Sequence, residues 1–106
     1  MREFSASELN VYLCDTERKP LLLDVREPWE FDKACIEGST LVPMRQIGER
    51  IHELGSDDEI IVICHHGIRS RVVCRFLESE GFSNVINLAG GVDAWAKDVD
   101  RHMPTY

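Results

Sequence analysis

Three short apolar runs, separated by amphipathic stretches, limit what this chain can fold into. Leu21-Leu22-Leu23, Ile60-Ile61-Val62-Ile63 and Val85-Ile86-Asn87-Leu88 are too short for helices. They also lack the polar alternation of a strand with one wet face. Strands that are apolar on both sides belong in a sheet covered on both faces, which is the parallel arrangement. The intervening segments supply the cover. Ser5-Ala6-Ser7-Glu8 reads as a capping box opening a helix through Cys14, with Leu9, Tyr12 and Leu13 on its apolar face. Pro28 suits the first turn of a short helix after Asp24-Val25-Arg26-Glu27. Thr40 to Pro43 is a second strand candidate. The spacing of Ile47, Ile51 and Leu54 predicts a helix over 46–54, closed by Gly55, and Ser56-Asp57-Asp58 predicts a turn. Val72, Val73, Phe76 and Leu77 trace a further helical face, capped by Gly81. After a Gly90-Gly91 turn, a last helix is expected over Val92 to Val99, carrying Trp95. The expected fold class is α/β: a central, mostly parallel sheet with helices on both faces.

The 106 residues suit one domain, with no linker, repeat or low-complexity segment to divide them. A net charge of −7 and a pI near 5.0 argue against a general nucleic-acid binder, which needs a basic face. No apolar run reaches the roughly 18 residues of a membrane helix, and MREFSASELN has no apolar signal core. The expectation is a cytoplasmic protein with neither nucleic acid nor membrane as partner. Four cysteines, at 14, 35, 64 and 74, do not make a disulfide framework in such a chain and are expected to be thiols.

The stretch ICHHGIRSRVVC, from Ile63 to Cys74, holds the chemistry. Cys64 stands where a strand ends and a helix is about to begin, the edge at which open α/β sheets bind ligands. A tight turn through Gly67 can aim successive backbone N–H groups at one centre, and the helix N-terminus adds its own. Such an array favours a thiolate over a thiol. Between Ile60 and Leu77 there is no Asp or Glu, yet His65, His66, Arg69, Arg71 and Arg75 are all present. A cationic mouth of this kind would attract a small anion. Three readings of Cys64 stay open at this point: a nucleophile, a small core residue, or a metal ligand with His65 and His66. The last lacks the spacing that would complete a metal shell.

Three segments taken together resemble the rhodanese family, in particular its single-domain sulfurtransferases. They are LLDVREPWEF from Leu22 to Phe31, IVICHHGIRS from Ile61 to Ser70, and NLAGGVDAW from Asn87 to Trp95. The resemblance implies one rhodanese-like domain over residues 1–106, with Cys64 as catalytic cysteine. It implies that Cys64, His65, His66, Gly67, Ile68 and Arg69 form the loop that cradles a transferred sulfur. Cys64 would take sulfane sulfur from thiosulfate or a persulfide, and the Cys64 persulfide would pass it to cyanide or a thiol. A thioredoxin-like or sulfur-carrier protein is a possible acceptor. Backbone N–H groups from His65 to Arg69 would hold the persulfide, and the Arg69 side chain would help hold a small anionic donor. No metal or organic cofactor is implied. Related phosphatases and arsenate reductases have a cysteine-x5-arginine loop sized for a tetrahedral oxyanion, whereas this chain has cysteine-x4-arginine. A non-enzymatic binding module of the same fold is the alternative from another class, and Cys64 argues against it.

One departure is Cys35, which stands where many relatives have histidine. It is either a tolerated small residue or, if it approaches the loop, a resolving thiol. Asp24 is expected to tie loops together, and Arg26 to pair with Glu27 or Glu30. Trp29, Phe31 and Trp95 are expected to pack in the core or at its rim. Cys14 and Cys74 are expected to be buried. No role is assigned to His52 or His102, and the tail from Arg101 to Tyr106 is expected to be loosely ordered.

Overall fold

The apolar runs form the middle of a five-stranded sheet in the computed structural model, which describes residues 1–15, 17 and 19–106. The strands are β1 (Arg2–Phe4), β2 (Leu21–Asp24), β3 (Thr40–Leu41), β4 (Ile60–Ile63) and β5 (Val85–Leu88). Their spatial order is β1-β5-β4-β2-β3, and every neighbouring pair is parallel. The helices are α1 (Ala6–Asp15), α2 (Pro28–Lys33), α3 (Ile47–Arg50), α4 (Ile68–Ser79) and α5 (Gly91–Asp98). The expected α/β architecture is therefore the observed one. No helix among the described residues is long and apolar enough to cross a membrane.

β4 shows why its sequence has no polar residue. Ile60 and Val62 pack into a core with Val73, Cys74 and Leu77 of α4 and Ile47 of α3. Ile61 and Ile63 point the other way, into a second core with Leu9 of α1 and Val92 and Trp95 of α5. Burying such side chains contributes roughly 1.5–3 kcal/mol each, so the central strand is apolar on both pleats. At the start of α1 the capping box closes as expected: Glu8 N donates to Ser5 Oγ (3.1 Å) and Ser5 N to Glu8 Oε1 (2.9 Å).

Several expectations are corrected. The edge strand β1 has no apolar signature; it is held by parallel pairing to β5, with Glu3 opposite Asn87. The predicted helix over 46–54 is a 3₁₀ turn, a single turn of α-helix and another 3₁₀ turn, running from Met44 to Glu53. The buried stripe of α4 is Ser70, Val73, Cys74 and Leu77. Val72 and Phe76 stay 51% and 37% exposed; the small side chains of Ser70 and Cys74 turn that side of the helix onto the sheet. Trp29 at the rim, 58% exposed, and Trp95 in the core match the expectation. The tail is seated rather than loose. Tyr106 stacks on His65 with ring centroids 3.9 Å apart, and its hydroxyl bonds to Arg26 and Glu30.

Candidate active site

From β2 the chain turns outward to β3, and from β4 it turns the opposite way to β5, so the loops after β2 and β4 diverge. Crevices of this kind at the carboxyl ends of adjacent strands are where α/β sheets bind ligands. Cys64 occupies this one, directly after β4, with its residue 1% exposed. Val25 N donates to Ile63 O (2.9 Å), which ties the two divergent loops at their roots.

The next residues wrap around the sulfur. Gly67 has φ +97°, in the left-handed region that favours glycine. Its backbone N, 3.0 Å from Cys64 Sγ, donates to the sulfur. The carbonyls of Cys64 and His65 face outward instead. Cys64 O accepts from Val92 N (2.9 Å) and His65 O from Asp93 N (3.0 Å), so the first turn of α5 satisfies its free donors on the loop. Gly91 makes that approach possible. A Cβ on it would lie 2.3 Å from the Cys64 carbonyl oxygen and 2.4 Å from that of His65.

These three features, a strand-end cysteine, a cysteine-x4-arginine loop around its sulfur and a glycine-opened helix behind it, coincide with a family match. Residues 5–98 match the rhodanese-like domain family. This chain belongs to that family. A protein named as a sulfurtransferase from Allochromatium vinosum is 35% identical over 97 residues, covering 92% of this chain and 90% of the relative. The putative sulfur carrier protein YrkF of Bacillus subtilis is 40% identical over 81 residues; the match takes 76% of this chain but 44% of YrkF. The chain thus spans less than half the length of that relative. The crystal structure of a rhodanese-like domain protein from Staphylococcus aureus superposes with a TM-score of 0.85 at 25% identity, covering 100% of this chain and 99% of the other. The kinship is to sulfur-transferring proteins in general and specifies neither donor nor acceptor.

Behind the sulfur of this rhodanese-like domain runs a polar relay that sequence reasoning missed. Cys64 Sγ lies 3.3 Å from Ser70 Oγ, and Ser70 Oγ donates to Asn87 Oδ1. Asn87 Nδ2 in turn donates to Glu3 Oε2 (2.8 Å) and Gly67 O (3.3 Å). Ser70 and Asn87 are fully buried. Asn87 was the available signal, as the polar residue within an otherwise apolar strand. A hydroxyl has one hydrogen. While that hydrogen serves Asn87, the Ser70 oxygen accepts from the thiol; once the thiol is deprotonated, the hydroxyl can turn to the sulfur. Ser70→Ala should therefore slow alkylation of Cys64 by iodoacetamide by about tenfold, the rate equivalent of one lost hydrogen bond of ~1.4 kcal/mol. An unchanged rate in the folded variant would leave Ser70 a packing residue only.

The charged groups are arranged differently from the expectation. Arg69 does not present a free guanidinium. Its Nη1 and Nη2 donate to the two carboxylate oxygens of Glu30 at 2.7 and 2.8 Å. Arg69 holds the Glu30 carboxyl down at about 2, and the pair raises the arginine above its ordinary value. The partner of Arg26 is Asp24, not Glu27 or Glu30: Arg26 Nη2 meets Asp24 Oδ2 at 2.7 Å, both side chains fully buried. Arg26 also donates to Ala34 O (2.7 Å) and to the Tyr106 hydroxyl (2.7 Å). Burial pushes the Tyr106 phenol up to about 12. Glu27 pairs with Arg45 instead, and Arg71 with Glu3 (2.8 Å).

His65 is lodged between Tyr106 and His66, and burial, then the neighbouring His66, lowers its pKa. A ligand cluster of His65 and His66 exists among the described residues, but its third member is Asp93, not Cys64. Asp93 is already engaged by Lys97 at 2.9 Å. Ile68 projects from the loop into solvent. Cys35 lines a groove with Asn10, Leu13, Trp95, Val99 and Met103, a set that does not include Cys64. Cys74 is buried as expected, and burial pushes its thiol up to about 12. Cys14 is exposed, correcting the expectation of a buried thiol; it falls on the outer side of α1.

Proposed function

We propose that this chain is a rhodanese-type sulfurtransferase that carries sulfane sulfur on Cys64. The observation that carries the reading is the loop from Cys64 to Arg69, with Gly67 N 3.0 Å from Sγ and the Cys64 and His65 carbonyls turned away toward α5. A sulfur nucleophile is stabilised by donors that meet its negative charge without moving during the reaction; the Gly67 N–H supports the reading as one such donor, and the other backbone N–H groups from His65 to Arg69 would join it around the persulfide. Cys64 thiolate attacks the outer sulfur of thiosulfate or of a persulfide. A new S–S bond forms, the donor's S–S bond breaks, and sulfite or a thiolate leaves with the electron pair. A thiophilic acceptor, cyanide or a thiol, then removes the sulfur and restores Cys64. His65, His66, Gly67, Ile68 and Arg69 form the wall of this cradle. Arg69 supports the loop through Glu30 rather than reaching freely for a donor.

The loop has one residue fewer than the cysteine-x5-arginine ring that encloses a tetrahedral oxyanion, which favours sulfur transfer over phosphatase or arsenate reductase chemistry. An exposed Cys14 and a half-buried Cys35 fit a reducing compartment such as the cytoplasm. The acceptor in the cell would be a thiol, presented by a thioredoxin-like or sulfur-carrier protein.

Intact-mass measurement tests the reading directly. Incubation with a persulfide or thiosulfate should add one sulfur atom per chain, and cyanide should remove it. A mass that never changes with either donor would overturn the proposal.

A further inference from the structure

The positive mouth expected around Cys64 is cancelled in three dimensions. Arg69 is the only arginine within the loop, and both its Nη groups are committed to Glu30. That carboxylate is held from four sides, taking two bonds from Arg69, one from Glu27 N (3.0 Å) and one from the Tyr106 hydroxyl (2.9 Å). Its side chain is 4% exposed, against 37% for Arg69. The negative partner is thus buried and fixed, and cannot swing aside for an incoming anion. The surrounding cations follow the same pattern. Arg26 is closed on Asp24, Arg71 on Glu3 and Arg45 on Glu27, while His66 faces Asp93 at 3.9 Å. Arg75 has no ion pair among the described residues, but it lies about two turns along α4 from the loop.

Charge cancellation weighs unequally on the two donor classes. Thiosulfate is a dianion whose leaving group, sulfite, also carries two charges. Both its binding and its departure call for an unpaired cation beside the sulfur. A persulfide R–S–SH brings no sulfonate. Cys64 thiolate attacks its outer sulfur, the new S–S bond keeps that sulfur and its proton, and a singly charged thiolate leaves. Its R group stays outside the ring.

We infer that Glu30 is a specificity-determining residue: by neutralising Arg69 it biases the Cys64 loop toward persulfide donors and against thiosulfate and other sulfonate donors. This rests on the reading of Cys64 as the sulfur carrier. Glu30→Gln keeps the size of the side chain and an oxygen for Glu27 N or Tyr106 while releasing the Arg69 charge. Loading rates are measured by time-resolved intact mass with two donors, thiosulfate and 2-hydroxyethyl persulfide, whose R group is uncharged. The ratio of the thiosulfate rate to the persulfide rate should rise at least tenfold in Glu30→Gln, through a lower KM for thiosulfate, and shrink again at high salt. In Glu30→Gln/Arg69→Gln the ratio should fall back toward the wild-type value, which separates released charge from a loosened loop. A ratio unchanged in Glu30→Gln, or a rise that persists in the double variant, would overturn the inference while leaving sulfur transfer standing. No uptake from either donor would instead remove the Cys64 reading, and this inference with it.

Discussion

Cys64→Ser is expected to leave a folded protein that takes up no sulfur from any donor. The substitution exchanges only the sulfur for an oxygen. A serine hydroxyl at this buried position can accept from Gly67 N–H and meet Ser70 Oγ, the two groups now nearest the thiol. The new polar atom is therefore satisfied, and the stability change should stay within the ordinary range of about 0.5–3 kcal/mol for a point substitution. The chemistry has no such substitute, since a hydroxyl neither attacks a sulfane sulfur at neutral pH nor holds it as a persulfide. Loss should be complete within detection, on the order of 10³-fold or more, as expected when the group that forms the covalent intermediate is removed. The other thiols provide the control. Cys74 sits in the core with its thiol pushed up to about 12, while Cys14 is exposed and Cys35 half-buried. The triple variant Cys14→Ser/Cys35→Ser/Cys74→Ala should still gain one sulfur atom. Uptake that persists in Cys64→Ser and vanishes in the triple variant would move the carrier to another cysteine.

The sequence showed where Cys64 would be but misled about its electrostatics, and the reason is physical. Strand positions follow from local apolar runs: β4 and β5 lie where Ile60–Ile63 and Val85–Leu88 predicted them. The loop length is also local, so the cysteine-x4-arginine count was legible at once. Net charge at a site is not local. The acid-free stretch from Ile60 to Leu77 receives Glu3 from β1, Glu30 from α2 and Asp93 from α5, each brought in by the fold. Glu3 was the least readable of these because β1 carries no apolar pattern of its own and exists through its pairing with β5. The seat of Tyr106 was hidden for a related reason. Its partners, Arg26, Glu30 and His65, come from segments 41 to 80 residues away in the chain.

Arg26→Met is expected to be the most destabilising substitution in the site region. Arg26 and Asp24 form an ion pair with no exposure on either side chain. Asp24 accepts from three nitrogens of Arg26, the backbone N, Nε and Nη2, and Arg26 also ties in α2 and the tail by donating to Glu30 O, Ala34 O and Tyr106. Methionine fills much of the volume but leaves the Asp24 carboxylate buried without its cation. Removing one partner of a buried pair costs about 3–5 kcal/mol, a large share of the roughly 5–15 kcal/mol that holds a domain folded. At roughly 4–8 °C per kcal/mol for a domain of this size, the melting temperature should fall by more than about 12 °C. The double variant Asp24→Leu/Arg26→Met should recover a substantial part of that loss, because the uncompensated charge is gone, although the bonds to Glu30 O, Ala34 O and Tyr106 stay broken and the backbone N–H of residue 26 loses its acceptor on Asp24. Thermal denaturation of the three proteins decides the point. A single variant within about 1 kcal/mol of wild type, or a double variant no more stable than the single, would mean that Arg26 acts through its bonds to α2 and the tail and not by neutralising Asp24.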